Sequence, residues 1–438
     1  MVKKKITKED IYIKARMLSE GVCIHDATGF IPDDILEIYT KAKEGKLRDI
    51  EVPKDADLNN IEEYLEMYYN SPIRKLSDGA SRSRVILDES ELQVILRPNK
   101  HSRLDFTVVG ENKATISDGG EVLATCRPIE KPEWLNEKLS NGMPIEVAMP
   151  IASEEIINVV FSLSCMNYNS NRGCRYCNLF ATSISKKIIM LPKDTLREWA
   201  KYQGEAVQIA TDYGWRGTIA ISGGALPPRH RPEYLERMGI VLSALREYVG
   251  EETLKEIRLV YNHYPPEDFA DMYKWKEMGI QATSIDIEVM DSAYFAAICP
   301  GKNQYKPHAY WKKAQEAAVE VFGPGRSVGC IVVGIEPMST LLKGVEERLS
   351  KGIIPLPLTF QSAPGSAYWG FRPPTAEWLV EASNKMADSF LNHAPKFLDP
   401  NRIKRSEKRA KKKGPRRNRS SPEGIVLDEV QRRMRGFI

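Results

Sequence analysis

The chain has 438 residues, 42% of them hydrophobic and 28% charged, with seven cysteines and a formal net charge of +4, which excludes disordered, fibrous and collagen-like classes. No apolar run approaches the ~18 residues that cross a bilayer, and the Lys-rich start runs on without a signal-peptide apolar region, so a cytoplasmic location with no membrane partner is expected. Seven irregularly placed cysteines in so long a chain also exclude a disulfide-stapled secreted scaffold; in a reducing compartment, clustered cysteines read as metal ligands.

At roughly 150 residues per domain the length predicts two or three domains. Helical patterns around 8–19, 33–44 and 59–69 come first, followed by short strands at 92–96, 104–109, 114–117 and 122–126 with Gly- and Asn-containing turns between them. Residues 1–150 therefore read as an α+β accessory domain. From 155 to 375, β-branched runs at 157–164, 218–222, 257–261, 282–288, 327–334 and 357–361 alternate with helical stretches at 192–211, 232–248, 266–278, 306–322 and 339–351. This is an α/β pattern of six βα units, spanning 151–398, that forms either a (β/α)6 partial TIM barrel or a doubly wound sheet. Both architectures put chemistry at the carboxyl ends of the strands. The last segment, 399–438, reads as a basic, disordered C-terminal extension ending in a short helix. Its residues 401–419 hold eleven Lys or Arg against one acid, a charge of +10 that leaves −6 for the rest of the chain.

Three cysteines fall together after the first of the six strands: Cys165, Cys174 and Cys177, spaced C-x8-C-x2-C. Two thiolates separated by two residues wrap one metal centre, and a third from the same loop completes a three-point grip. A structural zinc site wants four protein ligands, and the neighbouring sequence supplies no fourth Cys or His. Three thiolates suit a [4Fe–4S] cluster that keeps one iron open; zinc completed by a distant residue is the alternative. One βα unit later the next strand ends in Gly223-Gly224, where the backbone can approach a ligand closely or simply turn.

In these features the sequence resembles the radical S-adenosylmethionine (radical SAM) superfamily, and within it the branch of biotin synthase, methylornithine synthase and the hydrogenase-maturation enzymes. The resemblance covers about residues 155–375. It rests on the cysteine loop with Tyr176 before its last cysteine, on Gly223-Gly224, on the stretch from Ser284 through Glu288 with Cys299-Pro300-Gly301-Lys302 after it, on Gly329 to Glu336, and on Pro357 to Ser366. It implies a [4Fe–4S] cluster on Cys165, Cys174 and Cys177 whose open iron chelates SAM, and an oxygen-sensitive, metal-binding enzyme. Reduction by a flavodoxin- or ferredoxin-type donor would cleave SAM to a 5′-deoxyadenosyl radical that abstracts hydrogen from a small-molecule or carrier-presented substrate. It further implies that Gly223 and Gly224 meet the SAM amino group through backbone, that Glu288 contacts the ribose hydroxyls and that Tyr176 lies near the adenine. A salt-bridged strand-end acid is the plainer reading of Glu288.

Two departures stand out. The usual first spacing is three, so this loop carries five extra residues that should bulge away from the grip, and Ala225 replaces the acid of the family's Gly-Gly-Glu. Sulfur insertion needs cysteines for a second cluster inside the barrel; Cys330 alone lies near such a place, and Cys23, Cys126, Cys299 and Cys330 read as small buried hydrophobes. Rearrangement, fragmentation, coupling or epimerisation remain. His263 and Glu336 are the candidate catalytic side chains, His263 being equally readable as a satisfied strand-end histidine, and Asn262, Tyr264, Gln361, Ser362 and Arg372 are polar groups for the substrate. Gly323 to Gly329 is no dinucleotide loop, since it precedes a strand; Walker and nucleophile-elbow motifs are absent. The basic stretch 401–419 would dock RNA or an acidic protein, or stay solvated. The rival reading is an iron–sulfur or zinc nucleic-acid-binding protein built from the cysteine knuckle and this tail.

Overall fold

A computed structural model describes residues 6–53, 57, 60–75, 83–149, 151–153, 155–187, 190–393, 395 and 422–434. The basic stretch 401–419 lies outside the described residues.

Helix Lys8–Glu20 starts at a capping box in which Thr7 and Asp10 each satisfy the other's backbone N–H. Helices Asp33–Lys43 and Ile61–Asn70 follow as the periodicity predicts. The first sheet has strands β1 (Cys23–Ile24), β2 (Arg84–Leu87), β3 (Gln93–Ile95), β4 (Leu104–Gly110), β5 (Lys113–Asp118) and β6 (Glu121–Pro128), in the order β1-β4-β5-β6-β2-β3. All its pairings are antiparallel except β1 with β4. The β5–β6 hairpin turns on Gly119 and Gly120, both at positive φ (58° and 88°), which a side chain would resist.

The second sheet comprises β7 (Ile151–Ser153), β8 (Ile156–Val160), β9 (Thr218–Ser222), β10 (Arg258–Asn262), β11 (Ala282–Ser284), β12 (Ser327–Val333) and β13 (Ile353–Thr359). From β8 to β13 every strand is parallel to, and beside, the next in the chain; β7 folds back antiparallel on β8. The order never reverses, so the doubly wound alternative is set aside. The mixed α/β class stands, with helices Lys193–Asp212, Tyr234–Val249, Asp271–Glu277, His308–Phe322 and Met338–Ser350 as the crossovers.

Three of the six parallel strands differ clearly from the sequence expectation, the first of them ending at Val160 rather than 164. The fourth was expected over 282–288 but breaks after Ser284, because Glu288 takes the left-handed φ of 67° and rejoins the sheet only through a bridge to Ile331. The last begins at Ile353 rather than 357, running through Pro355 and Pro357. It pairs only with β12, and prolines are tolerated on such an edge.

One continuous core joins the two sheets. Helix Ala376–His393 lies between helices Lys8–Glu20 and Val426–Met434, and Lys14 meets Asp428 at 2.7 Å with both side chains fully buried. The short helix expected at the end of the extension is Val426–Met434, and buried Ile425 and Val426 anchor it to the core. Among the described residues no helix is long and apolar enough to cross a membrane.

Candidate functional site

The predicted residues gather where the parallel strands end. Cys165, Cys174 and Cys177 occupy the loop after β8, Gly223-Gly224 follows β9, His263 follows β10, Glu288 lies beyond β11, and Glu336 follows β12. A Cβ on Gly224 would sit 2.1 Å from the carbonyl oxygen of Ser164, and one on Gly223 would reach the Phe161 ring at 3.0 Å. The glycine pair is therefore required by the cysteine loop itself, which crosses directly over it; Met166 also donates its N–H to the Ala225 carbonyl at 2.9 Å.

The five extra residues do not bulge away. They begin as a helical turn, Met166–Asn169, with Asn167 buried and hydrogen-bonded to the Tyr264 hydroxyl. A side chain at Gly301 would strike Asn167 at 2.3 Å, so this glycine admits the insertion. Only 170–172 reach solvent. The loop is further tied to the segment after β13, by Tyr168 to the Gly365 carbonyl and by Asn178 to the Pro364 carbonyl at 3.2 Å.

Among the described residues, a single trio of Cys, His, Asp or Glu has all its ligand atoms within 4.8 Å of one another: Cys23, His25 and Asp105 on the first sheet. The three loop cysteines are spaced more widely than that. One zinc with ~2.3 Å bonds to sulfur would draw thiolates to about 4 Å from each other. Three thiols on one loop suit a cluster that keeps one iron open, or a single ion completed by a further ligand. Burial pushes the Cys165 and Cys177 thiols up. Cys174 moves down: a hydrogen bond from Cys299 lowers it, burial opposes, and Lys302 lowers it again. Cys299 is fully buried, as expected of a hydrophobe, yet it adjoins a predicted ligand. Its place after the strand-four motif was the signal available in the sequence. Cys126 is likewise buried, whereas Cys23 and Cys330 are partly exposed.

Glu288 is 8% exposed and pairs with Lys302 at 2.5 Å, so the salt-bridged reading of this acid describes its contacts here. Tyr176 hydrogen-bonds the same carboxylate. Burial pushes Glu288 up while Lys302 pulls it down, with the net upward. Lys302 also donates to the Asp286 carbonyl at 2.8 Å and lies over the Trp311 ring at 4.9 Å. His263 is buried among Phe161, Tyr234 and Tyr264, and burial drives it down to about 3, so its imidazole is neutral. Its Nε2 lies 3.1 Å from the Gly224 carbonyl, to which it must donate, and Nδ1 has no partner. Both Glu336 oxygens accept backbone N–H groups, of Met290 at 2.7 Å and Asp291 at 2.9 Å, which pins the chain just beyond Glu288. Of the other polar candidates, Asn262 binds Asp286, Ser362 is tied to Tyr368 and Gly370, and Arg372 is exposed. Gln361 differs, since both atoms of its amide are buried without a partner. It lines a largely apolar cavity of ≈ 190 Å³ with Ile35 and Leu36 of the second helix, Arg97, and Asn178 next to the third cysteine.

No family model matches the chain. A bacteriochlorophyllide c C-7(1)-hydroxylase of Chlorobaculum limnaeum is 38% identical over 402 residues, covering 91% of this chain and 89% of the relative. The chain belongs to that family of radical SAM enzymes. It is an enzyme, and the alignment runs well beyond the six βα units to take in most of the first sheet or the C-terminal helices as well.

Proposed function

We propose that the protein holds a [4Fe–4S] cluster on Cys165, Cys174 and Cys177, binds SAM at the mouth of a (β/α)6 partial barrel, and abstracts hydrogen from a substrate bound beside it. The observation that carries this reading is a three-thiol loop lying directly over the Gly-Gly turn of the next strand. The wider resemblance to the biotin synthase and methylornithine synthase branch belongs to the same reading. So do the division at about 150 and 398 and a flavodoxin- or ferredoxin-type donor.

When bound, cluster and SAM together supply a carbon radical able to take a hydrogen atom. The chain's own residues prepare the place for it. His263 donates from Nε2 to the Gly224 carbonyl and so fixes the peptide that would face the SAM amino group. Being neutral, it is not a proton donor to substrate at neutral pH; it is a positioning residue. Glu288, oriented by Lys302 and Tyr176, offers its carboxylate to the ribose hydroxyls. Glu336 holds the backbone after Glu288 and is likewise a positioning residue. The relative's name adds hydroxylation to the outcomes the sequence suggested, and makes a chlorophyllide-type tetrapyrrole the first substrate to try.

The test is anaerobic reconstitution with iron and sulfide, followed by reduction in the presence of SAM. Wild type should release 5′-deoxyadenosine and Cys174→Ala should not. A colourless protein retaining one zinc, with SAM uncleaved, would overturn the reading.

A further inference from the structure

Strand β1 is two residues long, lies at the edge of the first sheet and pairs only with β4, which sets Cys23 beside Asp105 and Ile24 beside Phe106. Side chains alternate between the two faces of a strand, and paired residues of neighbouring strands share a face at about 4.8 Å. Phe106 is fully buried and Ile24 packs on the core, so Cys23 and Asp105 point the other way, toward solvent. The pairing runs one residue past β1, where the His25 N–H donates to the Phe106 carbonyl at 3.4 Å. His25 therefore returns to the face of Cys23. The sulfur of Cys23, a ring nitrogen of His25 and a carboxylate oxygen of Asp105 accordingly lie within 4.8 Å of one another, with His25 Nε2 and Asp105 Oδ1 at 2.9 Å.

An exposed His–Asp pair adds little on its own and needs no metal. What sets this one apart is the thiol. Cysteines are among the most buried of residues, as Cys126 on β6 is, yet Cys23 is partly open to solvent beside an imidazole and a carboxylate. Sulfur, imidazole nitrogen and carboxylate oxygen are the three donor types zinc takes, at bonds of roughly 2.0–2.3 Å that would set the donor atoms about 3.5 Å apart. To reach that spacing the His25 and Asp105 atoms would part slightly and the Cys23 sulfur would close in, shifts within the reach of side-chain rotation. We propose that Cys23, His25 and Asp105 form a zinc site, with the fourth tetrahedral position left to water. The ion would tie β1 to β4 at the sheet edge, shortly before the chain enters helix Asp33–Lys43 and the cavity that this helix lines. The site shares no residue with the cysteine loop after β8, so this inference and the cluster reading can each fail alone.

The test uses the full chain carrying Cys165→Ala, Cys174→Ala and Cys177→Ala together, so that the loop takes no ion, titrated anaerobically with zinc and with cobalt as its coloured substitute. One equivalent should bind, and cobalt should give a sulfur-to-metal charge-transfer band in the near ultraviolet. Adding Cys23→Ala should abolish that band. Adding His25→Ala or Asp105→Ala should weaken zinc by more than the ~10–100-fold that loss of an outer partner costs a metal site. A folded triple variant that binds no zinc overturns the proposal, and so does a zinc equivalent and cobalt band that survive Cys23→Ala. Should the triple variant not fold, wild type and Cys23→Ala are each reconstituted with iron and sulfide and compared at equal iron content: wild type should retain one zinc more per chain, and equal zinc overturns the proposal.

Discussion

Among the described residues two lysine–carboxylate pairs are buried, and they are built for different ends. Lys14 and Asp428 are fully sealed, 414 positions apart in sequence, and one oxygen of Asp428 has no partner at all. Lys302 and Glu288 retain 10% and 11% exposure, lie 14 residues apart, and count Tyr176 and Cys174 of the cysteine loop among their neighbours. Burying a charge pair gains little net stability against an apolar pair of the same shape, whereas leaving one partner alone is expensive. The first pair is therefore a register device that fixes where the C-terminal helix docks. The second orients a carboxylate that burial pushes up and Lys302 pulls back down.

The difference can be broken open by substitution. Lys14→Met should have the largest effect on stability, about 3–5 kcal/mol, because the buried Asp428 carboxylate loses its counter-charge; chemical denaturation at neutral pH would measure it, and SAM cleavage per folded molecule should be unchanged. A pH series sharpens the same point. Burial pushes Asp428 up to about 6, against the pull of Lys14, and an unfolded Asp titrates near ~3.9. Between roughly 4 and 6 the native chain holds the extra proton, so this group's contribution falls as pH rises through that window, by up to about 3 kcal/mol. Melting wild type beside Lys14→Met/Asp428→Leu at pH 4, 5 and 6.5 should show wild type losing ground to the double variant as pH rises. Glu288→Gln reverses the pattern: turnover should drop on the order of 10²-fold through lost orientation, while the melting temperature moves little. Smallest of all should be the double replacement itself at neutral pH, within ~1 kcal/mol of wild type or more stable. A severe loss there would mean that Lys14 and Asp428 do more than set register.

Much of the fold was legible because it is written in local patterns. The six β-branched runs, their proline-led helices and the spacing of Cys174 and Cys177 each sit within a few residues of one another. What escaped was tertiary. Nothing in the run 282–288 announces that Glu288 turns to a positive φ and ends the strand early. The helical turn in the insertion was hidden because Asn- and Ser-rich sequence favours loops, and only contact with Tyr264 and Gly301 draws Asn167 inward. Among the site residues, chain position correctly led to strand ends, but only packing shows that His263 and Glu336 bond backbone groups rather than facing open space.

The last parallel strand carries a further consequence. Phe360 donates inward to the Val333 carbonyl, so in the alternation of a parallel strand the backbones of residues 353, 355, 357 and 359 face outward. Two of those four are prolines with no N–H to offer, and the Thr359 N–H is already taken by the Glu423 carbonyl at 2.7 Å. An open sheet is a template on which a second molecule can add its own strand. Here almost every donor along that template is missing or occupied, so concentrated protein should resist edge-to-edge association.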